Sequence, residues 1–155
     1  MKTNLPATTI FSSSEIQIHY KRPLYSEMKL ICSAESAEKI IREFADPNRI
    51  DLKEFFWVMT LTNANRLLGI SEIASGSSSG VIVSIKEILQ LALLTSAVSL
   101  IIFHVHPSGN LNISAGDKRI TSKLKKAAEL MEITLLDHII ISSEGFVSFA
   151  QEGLL

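Results

Sequence analysis

The chain has 155 residues, 46% of them hydrophobic, with a formal net charge of −1 and a pI near 6.4. That length suits one domain with a sizeable core, and the near-zero charge removes any bulk electrostatic reason to expect nucleic acid as a partner. Cys32 is the only cysteine; this excludes an internal disulfide and a thiolate metal site and predicts a small buried hydrophobe in a reducing compartment.

Met1 to Ser14 is Thr/Ser-rich and lacks the apolar core of a signal peptide; poor order is expected there. Glu15-Ile-Gln-Ile-His-Tyr20 alternates with a period of two and predicts a strand with His19 on its polar face. Ala37, Ile40, Ile41 and Phe44 recur at helical spacing, giving a first helix that ends before Pro47. Phe55 to Thr62 and Arg66 to Ser75 read as strands joined at Asn63-Ala-Asn65. Gly76-Ser-Ser-Ser-Gly80 is a loop, after which Ser84 caps a second helix with Ile85, Ile88, Leu89 and Ala92 inward and Glu87 as capping-box partner.

Ile88 to Phe103 is the most apolar stretch, but Gln90, Thr95, Ser96 and Ser99 interrupt it. A membrane span needs ~20 mostly apolar residues, so a buried helix running into a buried strand, Val98 to Phe103, is expected instead. Ile120, Leu124, Ala127, Ala128 and Met131 have the spacing of one buried helix face. Lys118, Arg119, Lys123, Lys125 and Lys126 crowd the other sides, and in a chain so close to neutral they read as a solvated face rather than a nucleic-acid surface. Ile133 to Ile141 and Phe146 to Phe149 close the chain as a hairpin around Ser143-Glu144-Gly145. The order predicts a soluble, cytoplasmic, single-domain α/β protein of the α+β type, with no membrane span and no internal repeat.

Chemistry concentrates in His104-Val105-His106-Pro107-Ser108-Gly109, followed by Ser114 and Asp117. Strand residues i and i+2 share a face, so the two imidazoles leave the strand end side by side, roughly 6–7 Å apart at the backbone. Asp117 supplies a third, oxygen ligand, and two His with one carboxylate make an open zinc site. A bare His-x-His is usually an ordinary surface or core pair. Here it follows an apolar run, Pro-Ser-Gly turns the chain sharply, and Ser114-Ala-Gly-Asp117 has the form of a helix N-terminus. Ser114 and Asp117 therefore have a second reading, as a helix cap. An Asp117 bound to metal is expected to have little left to offer the backbone.

His104-x-His106, ten residues and then Asp117, with Ser114 three before it, resembles the JAMM metallopeptidase signature of JAB/MPN domains. His-x-His-Pro-Ser-Gly together with Leu135-Leu-Asp137-His138-Ile-Ile-Ile141 resembles the RadC-like branch in particular. The resemblance runs from about Ser33 to the end, dividing the chain into an N-terminal segment (1–32) with a candidate strand and a RadC-like JAB/MPN domain (33–155). Many RadC-like proteins have Asn where this chain has Val105 and Pro where it has Ile113; neither position is a ligand. The family pattern also requires an upstream glutamate on or just before a strand beside the metal. Glu54 fits, because Lys53-Glu-Phe-Phe-Trp57 resembles the Glu-x-Phe opening of that strand. Zinc lowers the pKa of a bound water towards about 7, and a nearby carboxylate takes its proton and passes it to the leaving group.

The resemblance implies a mixed β-sheet flanked by helices and a zinc-dependent hydrolase cleaving a peptide or isopeptide-like amide bond. His104, His106 and Asp117 would hold one Zn2+ per chain, Glu54 would serve as general base and then acid, and Ser114 would donate to the oxyanion. Asp137 and His138 match the family string but face opposite sides of a strand, and are taken as structural polar groups. RadC-like proteins often carry an N-terminal helix-hairpin-helix element; 155 residues leave no room for one, so DNA binding is expected to be weak or absent. The expected partner is a peptide or protein substrate, with homo-oligomerisation open. Two other readings stand beside the enzyme: a non-catalytic, metal-containing binding module in DNA repair, mobile-element transactions or a protein complex, and a metal-free scaffold with structural histidines.

Overall fold

A computed structural model describes residues 17, 19–77 and 80–155. Among these, helices α1 (Ala34–Phe44), α2 (Ile85–Leu94) and α3 (Ala115–Glu129) accompany strands β1 (Phe55–Leu61), β2 (Leu67–Ser75), β3 (Ser99–Val105), β4 (Thr134–Ile141) and β5 (Phe146–Ser148). The strands form one sheet in the order β2-β1-β3-β4-β5. β3 and β4 are parallel, with α3 as their crossover, and every other neighbouring pair is antiparallel. This is the α/β fold with a mixed, helix-flanked sheet that the sequence predicts. No described helix is long and apolar enough to cross a membrane.

Every residue of β1 and β3 is buried, as expected of central strands covered on both faces, which read as continuous apolar runs. Alternation divides them. Phe55, Trp57, Met59, Ile101, Phe103 and Val105 pack against Ala37, Ile40 and Ile41 of α1. Phe56, Val58, Leu100 and Ile102 pack beneath Ile88 and Ala92 of α2 and Leu124 and Ala128 of α3. Glu54 precedes Phe56 by two residues and His104 follows Ile102 by two, so both point to this second face. Between β1 and β2, the Thr62 hydroxyl accepts from the Ala64 and Arg66 amides, while Asn65 adopts φ 52°, a left-handed angle that asparagine tolerates.

Several expectations are corrected. Of the candidate strand Glu15–Tyr20, Glu15, Ile16 and Ile18 lie outside the described residues, as do Met1–Ser14 and two serines of the Gly76–Gly80 loop. Gln17, His19 and Tyr20 are exposed and not in a strand; alternation signals a half-buried pleated surface, and these side chains have none. Cys32 is exposed, because its neighbour Ile31 takes the inward position before the Ser33 cap of α1. Phe44 is 49% exposed, and its ring meets Trp57 in a T-shaped pair. Met131 also lies outside, since α3 stops at Glu129 and the left-handed Glu132 (φ 58°) redirects the chain to bury Ile133. Ser84 caps α2 by accepting from the Glu87 amide, but no return bond from the Glu87 side chain completes a box.

Candidate metal centre

β3 runs two residues further than its apolar run suggests, so His104 is still in the ladder, opposite Phe56 of β1. His106 lies just beyond, its amide donating to the Ile141 carbonyl at 2.9 Å, which ties the end of β3 to the end of β4. The chain then turns through Pro107-Ser108-Gly109, where Gly109 has φ +80° and donates to the His106 carbonyl. Glycine reaches that region without the strain a Cβ brings. The turn leads back to Ser114, which caps α3, and Asp117 in the first helical turn comes to rest over the strand end.

Ligand atoms of His104, His106 and Asp117 all lie within 4.8 Å of one another. His104 Nδ1 is 2.9 Å from Asp117 Oδ1, and its Nε2 is 3.0 Å from Glu54 Oε2. His106 Nε2 stands 3.8 Å from Asp117 Oδ2. The Nδ1 of His106 is 2.7 Å from the Asn110 carbonyl oxygen. A carbonyl only accepts, so Nδ1 carries a proton, and in the neutral imidazole this leaves Nε2 as the lone pair open to a ligand.

Burial pushes the His104 pKa down, but the bonds to Asp117 and Glu54 outweigh it and hold the imidazole above its ordinary value. Burial likewise pushes Asp117 up, and the bonds from His104 and Ser114 overcome it, leaving the carboxyl well below the usual range. Asp117 also caps its helix. Oδ2 accepts from the Ser114 amide at 2.8 Å and hydroxyl at 2.6 Å, while the Ser114 hydroxyl accepts from the Asp117 amide. These bonds are those of Asp117 as a helix cap, the second reading that the sequence offers for it. A carboxylate has about four acceptor positions, and here Oδ1 serves His104 while Oδ2 serves the cap.

All five candidate residues line one cleft of about 520 Å³, with Phe56, Val81, Val83 and Ile120 as apolar walls. The hydroxyl proton of Ser114 points at Asp117, so service to an oxyanion requires that hydroxyl to turn. Three contributions escaped the sequence. The Asn110 carbonyl left no signal, being backbone. Thr121 sits four residues after Asp117, and its hydroxyl donates to the Asp117 carbonyl at 2.6 Å. His138 stands 2.7 Å from that same hydroxyl through Nδ1, and burial pushes its pKa down to about 3.

The donor set fits a zinc-like cation: two imidazoles and a carboxylate, with the Glu54 carboxylate at hand, give two negative charges against a divalent ion. The chain spans about half the length of the curated relatives it matches. A UPF0758 protein of Flavobacterium johnsoniae is 41% identical over 101 residues, 65% of this chain and 44% of the relative. One from Pasteurella multocida is 37% identical over 135 residues, 87% of this chain and 60% of the relative. A third, from Coprothermobacter proteolyticus, is 40% identical over 129 residues, 83% and 55% respectively. The RadC-like JAB domain model matches residues 31–154, His104, His106 and Asp117 included, and the chain belongs to that family.

Proposed function

We propose that this chain is a zinc-dependent hydrolase of the JAMM type, cleaving a peptide or isopeptide-like amide bond. The observation that carries this reading is the convergence of His104, His106 and Asp117 to within 4.8 Å, with the Glu54 carboxylate 3.0 Å from His104 in the same cleft. His104, His106 and Asp117 would hold the ion, which when bound acts as a Lewis acid and lowers the pKa of a water towards about 7. Glu54 takes the proton of the attacking water and returns it to the leaving amine. Ser114, after turning its hydroxyl from Asp117, donates to the oxygen on which negative charge develops. The Asn110 carbonyl keeps His106 in the tautomer that exposes Nε2. Phe56, Val81, Val83 and Ile120 exclude water around the scissile group and suit an apolar substrate side chain.

The substrate is a peptide or protein, and the chain works outside the membrane, in the cytoplasm. Elemental analysis of native protein should find about one zinc per chain, and a peptide-library screen should find cleavage that a chelator abolishes. Native protein with no metal and no uptake of added zinc overturns the reading. Metal-loaded protein that cleaves nothing favours the non-catalytic binding module.

A further inference from the structure

The geometry points to His138, acting through Thr121, as the positioning residue for Asp117, an inference that rests on the metal site proposed above. His138 lies on β4, paired with Ile102 of β3, and is fully buried. Its ring stacks on Phe149 at 4.5 Å and faces His104 at 6.4 Å with an interplanar angle of 18°. The Thr121 hydroxyl has one proton, directed at the Asp117 carbonyl, so at its contact with His138 the hydroxyl accepts and Nδ1–H donates. Imidazole, hydroxyl and carbonyl form one polarised chain that ends on the residue carrying the carboxylate.

Packing alone does not account for this histidine. Among the described residues its buried Nε2 has no hydrogen-bond partner, an omission that costs about 1–3 kcal/mol and that an aromatic hydrocarbon of similar size would avoid. A threonine bonded back to the i−4 carbonyl also slightly weakens and bends a helix. Both departures serve a single link, from β4 to the first turn of α3. β4 is hydrogen-bonded in parallel to β3, which carries His104. The link therefore ties the helix bearing one ligand to the sheet bearing another, at the N-terminal end of α3, ahead of its buried Leu124 and Ala128.

The test uses Thr121→Val, Thr121→Ser and His138→Phe, with zinc affinity measured by chelator competition and the ligand field read from the visible spectrum of cobalt-substituted protein. Thr121→Val and His138→Phe should lose about 10–100-fold in affinity, as loss of an outer-shell partner does, and should shift the cobalt bands. Thr121→Ser keeps the hydroxyl and should restore both. A purely structural role would instead lower the melting temperature of the metal-free protein and leave affinity and spectrum unchanged, and that outcome overturns the inference. So does a loss in Thr121→Val that Thr121→Ser fails to recover. The Val/Ser pair decides alone where His138→Phe fails to fold. Wild-type protein that takes up no metal ends the zinc reading and this one together; wild-type protein that binds, with unchanged variants, ends this one only.

Discussion

Glu54→Gln separates the proposed base from the proposed ligands. The Glu54 side chain is 14% exposed, and Oε2 meets His104 Nε2 at 3.0 Å. Glutamine is nearly isosteric and its carbonyl oxygen can accept from the same ring nitrogen. The bond loses the charge on its acceptor side but keeps its geometry, so the fold should lose only about 1 kcal/mol. The three ligand residues are untouched, and zinc content should remain that of the wild type. The amide cannot take a proton from water, and loss of a general base costs about 10²–10⁴ in rate, or roughly 3–5 kcal/mol at 1.36 kcal/mol per tenfold. The assay reads three quantities on one preparation: zinc per chain, melting temperature, and kcat on a substrate from the library screen. His104→Ala and His106→Ala should lose activity together with zinc, whereas Glu54→Gln should lose it with zinc bound. An active, metal-loaded Glu54→Gln protein would refute the assignment and place the base elsewhere in the cleft.

Asp117→Ala should lose both zinc affinity and helix stability, the cap alone being worth about 0.5–2 kcal/mol. Asp117→Asn keeps an acceptor for Ser114 and should lose mainly the zinc; equal zinc affinity in wild type and both variants, by chelator competition, would leave Asp117 as a cap alone. Metal-free stability should peak near the ordinary histidine pKa of about 6.5, as read from melting temperature against pH with chelator present. The raised His104 contributes fully below that value and loses its contribution as pH rises through its folded pKa. His138, pushed down to about 3, contributes fully above the ordinary value of about 6.5 and loses that contribution as pH falls towards its folded pKa. Stability still climbing at higher pH contradicts this assignment. Binding to duplex DNA should be weak and strongly salt-dependent; tight, sequence-selective binding at physiological salt, measured by fluorescence anisotropy, would promote the binding-module reading.

Much of the sheet and the cluster at the end of β3 was legible because local patterns report them well. The apolar runs of β1 and β3 are the mark of strands buried on both faces, and Ser114 with Asp117 three residues on marks the start of α3. Periodicity fails where an element ends. It carried the buried face of α3 on to Met131, because nothing in the spacing shows that Glu132 turns left-handed. Composition made Cys32 a core residue, although position relative to the Ser33 cap decides its exposure. Links between elements were less legible still. The Thr121–His138 bond joins α3 to β4 across 17 residues, and the Asn110 carbonyl is backbone whose aim depends on the turn after His106.

The spacing of the cluster follows from how the chain is wound. β3, α3 and β4 form a parallel crossover, and in such a unit the helix begins where the preceding strand ends. Residues at the end of β3 and the start of α3 are therefore neighbours by construction, separated only by the turn from Pro107 to Ile113. That is why three candidate ligands fit into fourteen consecutive positions, from His104 to Asp117. Glu54 arrives by a different route. β1 runs antiparallel to β3, so the start of β1 lies beside the end of β3, and Phe56 pairs with His104. Position 54 shares a face with Phe56, which turns its carboxylate towards the imidazole fifty residues away. The topology thus makes the candidate ligands contiguous and the proposed base remote, which is why the cluster could be read from local spacing while Glu54 emerged only from the family pattern.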